Sequence, residues 1–416
     1  MALKNFPEEL NPPPRLIMGP GPLMADPRVL RAMSMPLLGQ FDPAFLTYMA
    51  ETQALFREVF ETKNQQTFVV NGTARAATEA ILVSIIDHGD KVLVPIFGRF
   101  GHLLAEIAER AGGDVATMER PWGEVFAPEE IEGALAKWKP KVVAIVHGDT
   151  STTMAQPLDE IGSLCRKHGA ILYVDACATV GGMEIKTDAW KIDSISGGLQ
   201  KCLSGPPGAA PTSFNERVVK IVRHRHHVEK GLEPPGFEPG KGSKILSNYF
   251  DLSMLMDYWG EGHLPHHTEA ISMLYAAREC ARIFVKDGHA PIFERHRLGS
   301  RALCAGLVAM GLELYGNQRT KMPNVTGVLI PEGVNGDEVR KALLHEFGIE
   351  IGTSFGPLHG KIWRIGTMGY TCRKENILIC LGALEATLLK MGHKLPAGQA
   401  VQAAMAEFDA AKAKAD

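Results

Sequence analysis

The sequence predicts an α/β fold: a sheet of buried parallel strands with helices on both faces, followed by a smaller α+β domain. Three observations carry this. Between about residues 70 and 215, short apolar runs alternate with amphipathic stretches. The runs are too short and too uniformly apolar for exposed helices, which is how strands covered on both faces read. From about residue 290 the pattern restarts with its own helices and strands, as a second unit would require.

Taken in order, the polar, Pro-rich start MALKNFPEELNPPPR has no apolar core of a signal peptide and reads as an N-terminal arm, 1–24. The stretch NGTARAATEAILVSII (71–86) reads as a helix opened by Asn-Gly-Thr. KVLVPI (91–96), KVVAIVHG (141–148) and AILYVDA (170–176) read as buried strands, and IDSISGG as another. HLLAEIAERAG (102–112) and LDEIGSLCRKHG (158–169) have helical spacing and end in Gly, the usual residue just past a helix. The Pro- and Gly-rich GLEPPGFEPGKGSK (231–244) reads as a surface excursion, and EAISMLYAARECARIFVKDG (269–288) as the helix leaving the large domain. The second unit then has a helix, a strand at NVTGVLI (324–330), a helix at GDEVRKALLHEFG (336–348), a strand at KIWRIG (361–366) and a last long helix. AAMAEFDAAKAKAD looks like a frayed helix. The expected organisation is an arm (1–24), a large domain (25–285), a small domain (286–400) and a helical tail (401–416).

Composition narrows the function classes. The 416 residues are 45% hydrophobic and 22% charged, with a formal net charge of −3, which suits a large domain plus a smaller one. A surface for nucleic acid or anionic membrane would need a basic excess, and neither partner is expected. No apolar run approaches the roughly 20 residues of a membrane span. Seven cysteines, an odd number without CxxC spacing, read as free thiols of a reducing compartment. The expectation is a soluble cytoplasmic protein.

The chemistry centres on GGLQKCLSGPPG (197–208). Lys201 is the only cation in a run built to bring backbone close, a setting that suits an amine nucleophile held out of water and aimed. Taken alone it also reads as a surface lysine in a Gly-rich turn. Asp175 closes the strand AILYVD, and by itself would pass for a capping residue. Asp and Lys at neighbouring strand ends together suit pyridoxal phosphate, with Lys forming the Schiff base and Asp keeping the pyridine nitrogen protonated. Asn-Gly-Thr at the start of a helix offers free N–H groups and a positive dipole end to a phosphate, or simply caps the helix. Phe97, just past KVLVPI, fits either ring stacking or the core. Thr150 in HGDTST fits a bond to the cofactor's phenolic oxygen or a cap. Arg364 is an arginine inside an apolar strand, so its fork needs an α-carboxylate or an internal Asp or Glu. RHRHH (223–227) reads as a solvated helical face and His266 and His267 as the start of a helix, so no metal is expected.

In this order, MGPGPLMADPRVL, NGTA, HGDTST, YVDACATVGG, GGLQKCLSGPPG, HHTEAISMLYAARE and WRIGTMGY resemble the class V, fold-type I aminotransferases over nearly the whole chain. The resemblance implies a mainly parallel seven-stranded sheet, pyridoxal 5'-phosphate as cofactor, and a homodimer with shared active sites. It makes Lys201 the Schiff-base lysine and Asp175 the partner of the pyridine nitrogen. Phe97 takes the stacking position; Gly72, Thr73 and Gln200 line the phosphate; Thr150 lies near the ring oxygen. His267 and Thr268 reach in from the second subunit, and Arg364 clamps the substrate carboxylate. Within the class, the likeness is to the alanine/serine–glyoxylate branch and most of all to its ureidoglycine–glyoxylate members, enzymes of purine catabolism. Gln40 in GQFDPAF matches the latter, and its amide suits a ureido group. Pro265 departs from them, standing where they carry Asn before HHT; Asn248 is a candidate replacement. A serine- or alanine–glyoxylate (or –pyruvate) aminotransferase is the alternative. A cysteine desulfurase or lyase would need a reactive thiol, for which Cys372 is the positional candidate, and a third possibility is a non-catalytic scaffold.

Overall fold

The computed structural model describes residues 8–413. Seven strands form its central sheet: β1 (Gln66–Gly72), β2 (Lys91–Ile96), β3 (Asp114–Glu119), β4 (Val142–Val146), β5 (Ile171–Asp175), β6 (Ser194–Ser196) and β7 (Gly208–Phe214). Their order is β1-β7-β6-β5-β4-β2-β3, and β7 alone runs antiparallel to its neighbours. Every residue of β4 (VVAIV) and β5 (ILYVD) is buried. Central parallel strands covered on both faces demand such β-branched and apolar runs. Helices α1 (Ala74–Ile85) and α2 (Arg99–Arg110) follow β1 and β2, so the strand C-termini and helix N-termini gather at one edge. Val146 of β4, Asp175 of β5 and Ser196 of β6 stand in register there. That edge is where open α/β sheets bind ligands.

The helices α3 (Ile271–Asp287) and α4 (His289–Ala309) lead to a three-stranded antiparallel sheet ordered β8 (Val325–Leu329), β10 (Ile362–Gly366), β9 (Gly352–Thr353). It packs with α5 (Gly336–Phe347), α6 (Lys374–Lys390) and α7 (Gln399–Ala413) around a second core that includes Leu303, Leu343, Trp363 and Leu384. The chain start joins this unit: Leu16–Ile17 pairs in parallel with Ile349–Glu350, and Met18 is buried in the second core.

Four readings of the sequence change. The C-terminal stretch is a docked helix rather than a frayed one as far as residue 413, because Ala400 and Ala404 are small enough to be buried against α4 and α6; 414–416 lie outside the described residues. The helix expected over 158–169 spans only Ile161–Lys167. His266 and His267 precede α3, which starts at Ile271. RHRHH is a solvated face only at Arg223 and His224. Arg225 is buried and donates from Nη1 to the carbonyls of Val83 (3.2 Å), Ser84 (3.1 Å) and Ile86 (2.6 Å) and from Nε to Ser243 O (3.1 Å). The last carbonyls of α1 have no partner within their own helix, and this guanidinium satisfies them. His226 Nε2 lies 2.6 Å from Asp257 Oδ2. Among the described residues no cluster of His, Cys, Asp and Glu is suited to a metal ion, and no helix is long and apolar enough to cross a membrane.

Candidate active site

A cavity of about 310 Å³ opens at the C-terminal edge of the central sheet, lined by Thr73, Thr150, Asp175, Gln200 and Lys201 among others. Residues far apart in sequence meet because each ends a strand or follows one. Asp175 is the last residue of β5 and only 8% exposed. Its Oδ1 accepts the Cys177 N–H at 2.9 Å, and its other oxygen has no partner among the described residues. Burial pushes the carboxyl up to about 6, against that opposing hydrogen bond. One carboxylate oxygen is thus left for a cationic or N–H partner.

Lys201 enters from the loop between β6 and β7, and its Nζ donates to the carbonyl of Pro20. Burial depresses its ammonium pKa, and the positive charge of Arg364 acts in the same direction. Gly21 makes the room: a Cβ there would lie 2.4 Å from Nζ, and the residue sits at φ +108°, a conformation that favours glycine. Gly21→Ala would therefore displace the lysine and strain the turn by about 1–3 kcal/mol. The expected result is about a 10²-fold fall in turnover, with an unchanged far-UV circular dichroism spectrum; activity within twofold of the parent would show that the lysine does not need this position.

The phosphate side of the cavity is the start of α1. Thr73 is its N-cap, in extended conformation, and its hydroxyl makes no capping bond. The hydroxyl and the N–H groups of Ala74 and Arg75 are therefore available to an anion, while the Ala76 N–H donates to the Thr73 carbonyl at 2.7 Å. Gln200 adds a half-buried side-chain amide, whose NH2 can donate to an anion. Gly72 ends β1 beside this cradle but is not among the residues that line the cavity. An unpaired carboxylate, a desolvated amine and an open helix N-terminus in one cavity fit a phosphorylated pyridine aldehyde.

Phe97 is not in the wall. It is 1% exposed and belongs to the main core, and Phe100 with Leu103 lines the cavity instead. Asp149 fixes that wall: its Oδ2 accepts the Phe100 N–H at 2.8 Å and its Oδ1 accepts the Ser151 N–H and hydroxyl at 2.9 and 2.6 Å. Gly98 permits the approach, since a Cβ there would lie 2.4 Å from the Asp149 carboxyl carbon.

Arg364 on β10 is 3% exposed and grips backbone, Nε donating to Thr353 O at 2.6 Å and Nη1 to Thr150 O at 2.7 Å. It forms no ion pair among the described residues, and the buried Asp149 carboxylate acts on it only through space. Burial depresses its pKa to about 10.

Three expected site residues lie away from this cavity in the single chain. Gln40 precedes the helix Pro43–Val59, and its side-chain oxygen is buried without a partner. His267 Nε2 lies 2.7 Å from Asn71 Nδ2, and Thr268 is exposed. Asn248 is exposed, its carbonyl 3.1 Å from His266 Nε2. Cys372 is buried, its Sγ 3.5 Å from Arg295 O, and burial pushes the thiol up to about 12. No thiolate nucleophile forms there.

Known proteins match this architecture end to end. The family model described as aminotransferase class-V matches residues 38–231. The (S)-ureidoglycine–glyoxylate transaminase of Bacillus subtilis (strain 168) is 54% identical over 403 residues, covering 96% of this chain and 97% of that one. The alanine–glyoxylate aminotransferase of Drosophila melanogaster is 34% identical over 381 residues, covering 90% and 93%. The crystal structure of the Bacillus subtilis ureidoglycine–glyoxylate aminotransferase superposes with a TM-score of 0.92 at 53% identity, over 97% of this chain and all of that one (100%). With the sheet, the lysine and the acid in these positions, the chain belongs to the class V aminotransferases, which work with pyridoxal phosphate.

Proposed function

We propose that this enzyme transfers the amino group of (S)-ureidoglycine to glyoxylate, giving oxalurate and glycine in purine catabolism. The observation that carries the reading is the 54% identity to a transaminase of that name over 96% of the chain, against 34% for an alanine–glyoxylate aminotransferase. Bound pyridoxal phosphate supplies an electron sink that makes the Cα–H of an attached amino acid acidic. Lys201 is the residue that would carry it; once the amino donor has displaced its Nζ, that free amine would take the Cα proton and deliver it to the cofactor carbon. A depressed pKa leaves more of that amine unprotonated near neutral pH, as a general base requires. Asp175, with one free oxygen, keeps the ring nitrogen protonated. Thr73, Gln200 and the N-terminus of α1 would hold the phosphate, with Gly72 just behind them, Thr150 would meet the ring oxygen, and Phe100 would supply the aromatic wall expected of Phe97. Arg364 binds the substrate carboxylate, its guanidinium already oriented by two carbonyls.

Gln40, His267 and Thr268 act in the partner's site of a homodimer. The exposed apolar side chains Leu30, Met35, Leu37, Phe41 and Leu246 support such an interface. Gln40 presents an unpartnered amide oxygen, which suits the N–H donors of a ureido group. The odd set of free thiols supports a cytoplasmic location. A donor screen against glyoxylate, with ureidoglycine generated freshly, tests the substrate. Oxalurate and glycine should form in equal amounts; turnover of alanine or serine with none of ureidoglycine would replace this reading by the alanine/serine one.

A further inference from the structure

Two residues beside this site have no role in the scheme above. Phe355 stands between β9 and the short turn Gly356–Leu358 and is 41% exposed. The guanidinium carbon of Arg364 lies 5.0 Å from the centre of that ring, and that of Arg99 lies 4.6 Å from it. One aromatic ring is thus shared by two cations. Arg99 is the first residue of α2, exposed, adjacent to the cavity-lining Phe100, and without an ion pair among the described residues. The carboxylate beneath, Asp149, is already committed to Ser151 and the Phe100 N–H. Arg340, the second guanidinium acting on Arg364, has Asp337 at 2.9 Å. The cluster is therefore short of one negative charge, on the side of the cavity where Arg364 holds Thr150.

We propose that Arg99 and Phe355 form an outer anion gate, in which the Phe355 ring holds the plane of the Arg364 guanidinium and Arg99 draws carboxylate substrates to it. The inference rests on reading Arg364 as the carboxylate-binding residue. A ring face gains attraction from each cation, and its loss would let the Arg364 fork tilt away from two-point binding of a carboxylate. Arg99, in contrast, acts through space and is open to screening by salt. Specificity follows: the gate favours small oxo and amino acids with a free carboxylate over their amides.

The test uses the cofactor-loaded enzyme and steady-state kinetics with glyoxylate as varied substrate. Arg99→Gln should raise KM about fivefold at low salt, the loss falling on KM rather than kcat, and the gap should close to under about twofold in about 1 M salt. Phe355→Leu should raise KM about fivefold to tenfold at any salt, and Phe355→Tyr should restore it. Arg364→Gln separates the gate from the reading beneath it. If that variant loses more than about 100-fold in kcat/KM while Arg99→Gln and Phe355→Leu keep the parent KM, the stack is surface packing and the gate is wrong. If Arg364→Gln itself keeps the parent KM, the carboxylate reading falls, and the gate with it.

Discussion

Lys201→Ala is expected to lower transamination by about 10⁴-fold or more, and Lys201→Arg should fare no better. The two variants fail for different reasons. Alanine removes the nitrogen that carries the cofactor and moves the Cα proton. Arginine keeps a charge but is never an unprotonated amine near neutral pH. Neither change should unfold the chain: the side chain points into a cavity and its one hydrogen bond is to the Pro20 carbonyl. Single-turnover rates with a saturating amino donor measure the loss. Borohydride treatment of the parent enzyme followed by peptide mapping should place the cofactor on Lys201. A label on another amine, or a Lys201→Ala variant with more than about 1% of parent turnover, would remove the residue from the mechanism.

Why that lysine stood out is physical. The strands β2, β4 and β5 show in the sequence because both of their faces are covered, which forces uninterrupted apolar runs. Chemistry at their C-terminal ends then shows as polar residues where those runs stop, as at Asp175 and Thr150. What depends on tertiary geometry does not show. PIFGRFG offers two aromatic residues three apart, and nothing local says that Phe97 turns into the core while Phe100 faces the cavity. Arg225 looks like one more basic residue in RHRHH until the unpaired carbonyls at the end of α1 are placed beside it. The tail reads as frayed because Ala and Lys carry little apolar signal, yet small side chains are what let α7 lie close on its neighbours. Gln40, His267 and Thr268 lie away from the cavity in one chain, and nothing in their local stretches marks that separation.

Asp175→Asn should separate stability from function in opposite directions. In the cofactor-free protein the folded carboxyl titrates at about 6, against an ordinary value of 3.8. Across that window the folded chain binds more protons than the unfolded one, so stability falls as pH rises from about 4 to about 6 and stays low above it. The shift corresponds to about 3 kcal/mol at neutral pH. Asparagine keeps an acceptor for the Cys177 N–H and carries no charge, so the cofactor-free variant should exceed the parent in stability by about 2–3 kcal/mol at pH 7 and match it near pH 4. Activity should fall by about 10²–10⁴-fold, because an amide cannot keep a proton on the ring nitrogen. Denaturant unfolding of both cofactor-free proteins at several pH values reads the first effect, and single-turnover kinetics the second. Bound cofactor gives the ionised acid the partner it lacks, so it should stabilise the parent more than the variant. A stability difference that does not change between pH 4 and 7 would mean that Asp175 is not an unpaired buried charge. In that case the penalty that cofactor binding relieves would not reside in this side chain.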